Sequence, residues 1–186
     1  MNKPGVASPE IIHFVTFIVG GRKHLLTNES CVRIVLNSLA WLCETRQLIL
    51  YGFVLLPSHT HLLCRPVRKS IQSLAESFAD FTAQRMITAL RRRGRGPLLH
   101  YLHAKTPGDH PGAPIWGEVK IQSVGDSADA LRKLDYMHRK PAADEWRLAE
   151  EPCAYPYSSA CFYGAGRQPV LPIEDVRLEF WSGTSG

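Results

Sequence analysis

His59 and His61 stand two residues apart in HTHLLCRPV, a stretch that reads as a strand. Side chains alternate across a strand, so both imidazoles project from one face, while Thr60, Leu62 and Cys64 project from the other. Imidazole is a common metal ligand, and a strand holds two of them at a fixed separation. The position of Cys64 on the far face sets a His-His-Cys zinc site aside. An H-x-H pair also arises by chance in surface strands. Here it follows the strongly apolar run LILYGFVLL and is flanked by Pro57-Ser58 and Leu62-Leu63, so two open-faced histidines in apolar sequence call for a reason.

Tyr136 and His138 lie in LDYMHRKP, near the end of a helical stretch. A phenol with a pKa of about 10 is a poor nucleophile until activated. A metal that polarises a phosphate oxygen lowers the demand on it, and attack would leave a phosphotyrosine that conserves the bond energy for rejoining. A helical tyrosine is otherwise a boundary residue with its ring packed and its hydroxyl wet, and spacing leaves both readings open. Arg91, Arg92, Arg93 and Arg95 gather four guanidiniums at a helix end, while Arg65, Arg68 and Lys69 form a second basic group just past the His pair. Such clusters bind phosphates without reading sequence; a solvated helix end that complements the macrodipole is the competing account. His13, His24, His100, His103 and His110 have no metal-site spacing and read as structural or solvent residues.

These residues need elements to hold them. IIHFVTFIVG alternates and ends in Gly-Gly, a strand and turn. From Asn28 to about Arg46 the apolar positions Val32, Val35, Leu36, Leu39 and Leu42 recur at helical spacing, with Thr27 or Asn28 as cap. LILYGFVLL and HTHLLCRPV follow as antiparallel strands joined at Pro57-Ser58. A second helix spans about Ser70 to Arg93 and stops at Gly94 and Gly96-Pro97. Residues 94–114, rich in Gly, Pro and His, read as a long exposed loop. Ile115 to Val124 read as a strand, and Asp126 or Ser127 caps a third helix running to about Arg139 before Pro141. The order predicts an α+β fold: a ferredoxin-like βαββαβ antiparallel sheet with helices mainly on one face, a further C-terminal helix carrying Tyr136, and an irregular tail. It divides as a lead (1–10), a single domain (11–163) and a tail (164–186).

The 186 residues suffice for one domain with a real core, and 45% apolar content is ordinary for a soluble protein. No apolar run approaches the roughly 20 residues of a membrane span, and MNKPGVASPE lacks the apolar centre of a secretory signal, so a cytoplasmic protein without a membrane partner is expected. Five cysteines without a C-x-x-C pair suit small apolar residues in a reducing compartment better than a disulfide framework or a structural zinc site. The net charge of +5 is uneven: residues 1–105 carry 14 Lys and Arg against 5 Asp and Glu, residues 106–186 carry 8 against 12. A basic first part points to a polyanionic partner.

Together these stretches resemble the single-tyrosine HUH transposases, in particular the REP-associated tyrosine transposase branch. The resemblance rests on HFVTF (13–17), GFVLLPSHTHLL (52–63), Trp116, LDYMHRKP (134–141) and YPYSSA (155–160), which occur in the family's order across most of residues 11–163. It implies that His59 and His61 bind Mg²⁺ or Mn²⁺, and that Tyr136 attacks a scissile phosphate, becoming joined to the 5′ side of the break and freeing a 3′-OH. It also implies a partner, single-stranded DNA beside a hairpin formed by an imperfect palindrome, and a monomer or homodimer. Arg65, Arg68, Lys69, Arg91, Arg92, Arg93, Arg95 and Lys140 are the expected DNA contacts.

The sequence departs from that pattern at Thr60, where a bulky apolar residue is usual, and at Ser58, where Asn or Glu commonly precedes the first histidine. It also departs at Lys140, one helical turn after Tyr136, where relatives usually have Asn or Gln as a third metal ligand. A charged lysine has donors only and cannot ligate a cation. Two functions stay open: an active nuclease and strand transferase, or a domesticated binder of DNA hairpins that has lost cleavage. An unrelated ferredoxin-like RNA-binding domain would need exposed aromatic pairs on sheet strands, and the sequence has no such pattern.

Overall fold

A computed structural model of the chain describes residues 11–105 and 114–181; the lead (1–10), His110 and the last tail residues (182–186) lie outside the described residues. Strands β1 (His13–Val19), β2 (Leu48–Leu56), β3 (His59–Pro66) and β4 (Trp116–Ser123) form one antiparallel sheet in the order β2-β3-β1-β4. With α1 (Glu29–Glu44) between β1 and β2, and α2 (Ile71–Arg92) between β3 and β4, this is the expected βαββαβ arrangement. The capping chemistry follows the sequence. Asn28 accepts from the Ser30 N–H, Ser70 from that of Ser73 and Asp126 from that of Asp129, each satisfying an orphan donor of the first helical turn.

Strand β1 is buried along its whole length because both sheet faces are covered. Val15, Phe17 and Val19, with Leu62 and Cys64 of β3, pack against Val35 and Leu39 of α1 and Leu74, Phe78 and Met86 of α2. The opposite face presents Phe14 of β1, Tyr51, Val54 and Leu56 of β2 and Leu63 of β3 to α4 (Ser127–Arg139) through Ala130, Leu134 and Met137. Two glycine-dependent features set that second layer. A Cβ on Gly52 would fall 2.5 Å from both Leu134 Cδ2 and Met137 Cε, so α4 sits closer to β2 than a side chain at 52 would allow without those two ends moving. Beside it the β2–β3 register shifts between Leu50 and Gly52, a bulge that re-aims the strand under the helix.

Within the stretch 94–114 expected to be a loop, α3 runs from Gly96 to Lys105, and residues 106–113 lie outside the described residues. Gly96-Pro97 both stops α2 and starts α3, since proline in a first helical turn forfeits no hydrogen bond. Leu99 and Leu102, three apart, are buried and hold α3 on the first layer. Beyond α4 two short helices follow, α5 (Ala160–Ala165), which straddles the expected domain end at 163, and α6 (Val176–Trp181), within the tail expected to be irregular. α6 is fastened to β3 by the Arg65–Glu179 ion pair of 3.2 Å. All five cysteines are free, Cys31 and Cys64 fully buried. Among the described residues no helix is long and apolar enough to cross a membrane.

Candidate active site

Alternation along β3 places His59 and His61 on the α4 side of the sheet, with Leu63, and Thr60, Leu62 and Cys64 on the other. Their ring centroids are 4.9 Å apart, with planes nearly perpendicular. Each ring is held through Nδ1 by a hydroxyl: Thr16 Oγ1 lies 2.8 Å from His61 Nδ1, and Ser58 Oγ lies 3.1 Å from His59 Nδ1. His61 Nε2 is buried without a hydrogen-bond partner among the described residues. This is the arrangement that metal-binding histidines adopt, one ring nitrogen oriented by an outer partner and the other left for the ion. Ser58, read as a departure, therefore serves as an orienting group.

Burial first, and then nearby Lys140, lower the His59 pKa to about 4. Burial, His59 and Lys140 in turn lower that of His61 to about 3. Both rings are neutral at neutral pH, with lone pairs available to a cation.

Tyr136 stands on the outward side of α4, about half exposed, while Leu134 and Met137 point into the core. Its ring meets His61 edge to face at 5.6 Å between centroids and Phe14 at 6.4 Å; Phe14 in turn stacks on His61 at 5.1 Å. Lys140 Nζ sits 4.8 Å from the Tyr136 ring centroid, a cation–π contact. His138, two residues on, turns inward. Its Nε2 lies 2.8 Å from Ser159 Oγ, and Ser159 also bonds the Phe53 backbone, which locks α4 to β2. The Tyr-x-His and Tyr-Pro-Tyr-Ser-Ser stretches are thus two halves of one contact.

Between α4 and the sheet lies a cleft of about 510 Å³ holding both histidines and Tyr136. Five cations (Arg22, Lys120, Arg132, Lys133 and Lys140) line it against two carboxylates, Asp129 and Glu145, so it suits a polyanion. Four of these cations went unnoticed in the sequence. The signal was present for Arg132 and Lys133, which precede Tyr136 by four and three residues and share its helix face. Lys120 is paired across the sheet with Thr16, a register the sequence does not disclose. Arg22 follows Gly21, and both take left-handed backbone.

Of the basic residues singled out from sequence, Lys140 lines the cleft and the others do not. Arg65 is committed to the Tyr51 hydroxyl and to Glu179. Arg68 and Lys69 are exposed beyond the far end of β3, Lys69 bordering a larger apolar cavity of about 670 Å³ between α1 and α2. Arg91, Arg92, Arg93 and Arg95 are exposed at the end of α2. His100 and His103 are exposed on α3, and His24 lies beside Trp146, which also packs on His59 at 5.6 Å.

No protein-family model matches the chain, and no curated protein is similar to it in sequence. Among solved structures, a REP-associated tyrosine transposase bound to a REP hairpin is similar in fold. Its TM-score is 0.58 at 16% identity, over 95% of this chain and 93% of that one. A candidate transposase from Deinococcus radiodurans R1 aligns at 17% identity and a TM-score of 0.46, over 75% of this chain and 98% of that chain. The first likeness shows that the sheet, its helices and their order form a fold shared with a tyrosine transposase.

Proposed function

We propose that the protein is a transposase-like enzyme that cuts and rejoins single-stranded DNA beside a hairpin, with Tyr136 as nucleophile and Mg²⁺ or Mn²⁺ on His59 and His61. The observation that carries the reading is the Tyr136 ring set edge to face on His61, its hydroxyl-bearing side chain half exposed in a cationic cleft. The donor set fits a divalent ion, since two neutral imidazoles share a cleft and the buried His61 Nε2 has no hydrogen-bond partner among the described residues. The hairpin bound to the fold-related transposase supports hairpin-flanked DNA as the substrate.

In this reading Lys120, Arg132 and Lys133 hold the phosphates around the scissile one. Tyr136 Oη attacks phosphorus; the Oη–P bond forms as the P–O3′ bond breaks. The phenolic proton passes to solvent and the departing 3′ oxygen takes one up, so the 5′ phosphate stays on the tyrosine and a 3′-OH is released. His59 and His61 would hold the divalent ion, which would supply electrostatic polarisation of the scissile phosphate. Attack by the same or another 3′-OH on the phosphotyrosine reverses the exchange. Thr16 and Ser58 keep the two rings oriented throughout, and the His138–Ser159 contact keeps α4 in register with the sheet.

Incubation with Mn²⁺ and a hairpin-flanked single-stranded oligonucleotide should give a covalent protein–DNA adduct on a denaturing gel. The adduct should vanish in Tyr136→Phe and in His59→Ala; an adduct that persists in Tyr136→Phe would overturn the assignment. Lys140 favours one second reading, a domesticated hairpin binder without cleavage, because its ammonium stands where an amide ligand is usual. Tight hairpin binding without an adduct, and cleavage restored by Lys140→Asn, would support that alternative.

A further inference from the structure

We infer that Arg22 is a substrate-binding residue, its guanidinium holding a phosphate of the DNA strand at the His59 end of the cleft. The inference rests on the reading that a single strand runs through that cleft. Strand register orders the lining in rows: Glu118 and His59 flank Ile18, Lys120 and His61 flank Thr16, and Gln122 and Leu63 flank Phe14. Tyr136 rests on His61 and Phe14, and Lys133 Nζ is bonded to Gln122 Oε1 at the Phe14 row. Arg22 lines the cleft at the His59 row. There, behind burial and Lys140, its charge lowers the His59 pKa, whereas Lys133 acts in the same sense on His61, behind burial, His59 and Lys140. The Ile18 and Phe14 rows are separated by four residues, roughly 13 Å at the rise of a strand. Arg22 therefore engages a different phosphate from Lys133.

The backbone at Arg22 shows what this placement costs. Gly21 and Arg22 both take left-handed backbone, with φ of 59° and 52°, in a turn that the Lys23 N–H closes on the Gly20 carbonyl. Two left-handed residues in succession make the mirror-image turn that glycine and asparagine fill without strain and a long side chain does not. Gly21 suits it, since a Cβ there would also fall 2.8 Å from Tyr101 Oη of α3. The strain is borne by Arg22. Contacts on several sides hold the turn: Val19 N–H donates to the Ser58 carbonyl at 2.9 Å and Gly20 N–H to the Ile115 carbonyl at 2.8 Å, while Lys23 Nζ lies 4.2 Å from the Tyr101 ring centroid. Strain fixed by its surroundings, at a residue that lines the site, marks a functional position. Arg46 and Arg147 share the conformation, but Arg46 stands just past the end of α1, where it is ordinary, and Arg147 is paired with Asp144. Neither lines the cleft. Among the described residues the Arg22 guanidinium has no hydrogen bond or ion pair, so its donors are open to the paired oxygens of a phosphate.

Fluorescence anisotropy of a hairpin-free single-stranded oligonucleotide with the metal-free full chain tests this, in a Tyr136→Phe parent so that no bond is cut. Arg22→Asn suits the left-handed backbone and should melt no lower than the parent. It should nonetheless weaken binding about tenfold and reduce the slope of log affinity against log salt by about 0.7. Arg22→Lys should keep the slope and recover part of the affinity. Arg46→Asn removes a charge from the same backbone conformation outside the cleft and should bind as the parent does. Equal weakening in Arg22→Asn and Arg46→Asn would reduce the effect to net charge and overturn the inference. Parent-like binding in Arg22→Asn, with weakening in Lys133→Ala, would overturn it and leave the strand in the cleft. A lower melting temperature in Arg22→Asn would make Arg22 a structural residue of the turn and overturn it as well. A parent that binds no single strand would overturn the reading on which it rests.

Discussion

His138 Nε2 lies 2.8 Å from Ser159 Oγ, and through that one contact the helix that carries Tyr136 is tied to the strand that precedes the metal-type histidines. Ser159 Oγ also accepts from the Phe53 N–H at 2.9 Å and lies 3.2 Å from the Phe53 carbonyl oxygen, so a single buried hydroxyl joins α4, β2 and the segment after α4. Burial lowers the His138 pKa to about 4, which makes it a neutral hydrogen-bonding spacer.

Ser159→Ala should therefore cost more than a surface substitution. It leaves a buried imidazole nitrogen and the Phe53 N–H without their partner, a loss of about 1–3 kcal/mol. Urea unfolding should show the lower midpoint. Adduct formation should fall while hairpin binding persists, because the change loosens the position of Tyr136 and leaves the cleft cations in place.

Gly52 makes the complementary prediction from the strand side. A methyl group there meets Leu134 and Met137 at 2.5 Å, but both contacts are with the ends of flexible side chains that can give way. Gly52→Ala should cost about 1 kcal/mol and Gly52→Val up to about 3 kcal/mol as the helix is pushed off the sheet. Thermal melts of the two variants check the order; a Gly52→Val protein as stable as the parent would mean that α4 is not seated on β2.

Much of this architecture was legible in the sequence because it depends on local chemistry. Thr27 or Asn28 and Asp126 or Ser127 announced two helix starts, of which Asn28 and Asp126 are the caps, and the period-two pattern of HFVTF and HTHLL showed which residues share a sheet face. The histidine pair and Tyr136 were legible for the same reason, as residues of unusual type at defined spacing on recognisable elements. What stayed hidden depends on long-range placement. α3 was masked because Gly96-Pro97 signals a helix stop and a helix start alike. Lys120 enters the cleft through the β1–β4 register, and Glu145 through a turn docked by Trp146, neither of which leaves a local mark. Arg65 looked like a phosphate contact because its charge is visible in sequence, whereas Tyr51 and Glu179, which occupy it, are distant in the chain.

The three buried imidazoles of the α4 side predict a pH dependence of stability. The folded-state values are about 4 for His59, about 3 for His61 and about 4 for His138, against 6.5 for an unperturbed ring. Between those values and 6.5 the unfolded chain binds more protons than the folded one, so stability rises with pH. It is fully present above pH 6.5 and is lost as pH falls through the folded-state values. The urea midpoint of metal-free protein should thus drop steadily on acidification from neutral pH, and His138→Gln should make that slope shallower. A midpoint independent of pH across this window would contradict the burial of the three rings.

The cleft cations predict how DNA affinity responds to salt. Lys120 and Lys133 line the cleft from β4 and α4, whereas Arg68 and Lys69 lie beyond the far end of β3. If the single strand runs through the cleft, Lys120→Ala and Lys133→Ala should each weaken binding across all sequences. Each should also reduce the slope of log affinity against log salt by about 0.7, the value for one phosphate contact on single-stranded DNA. Arg68→Ala with Lys69→Ala should leave the slope for a bare single strand unchanged. Removing Arg91, Arg92, Arg93 and Arg95 together should lower the slope only when the oligonucleotide carries a hairpin, provided the duplex reaches the end of α2. Fluorescence anisotropy at several salt concentrations, with and without the hairpin, separates these contributions. Equal slopes for the Lys133→Ala variant and the parent would place the strand outside the cleft.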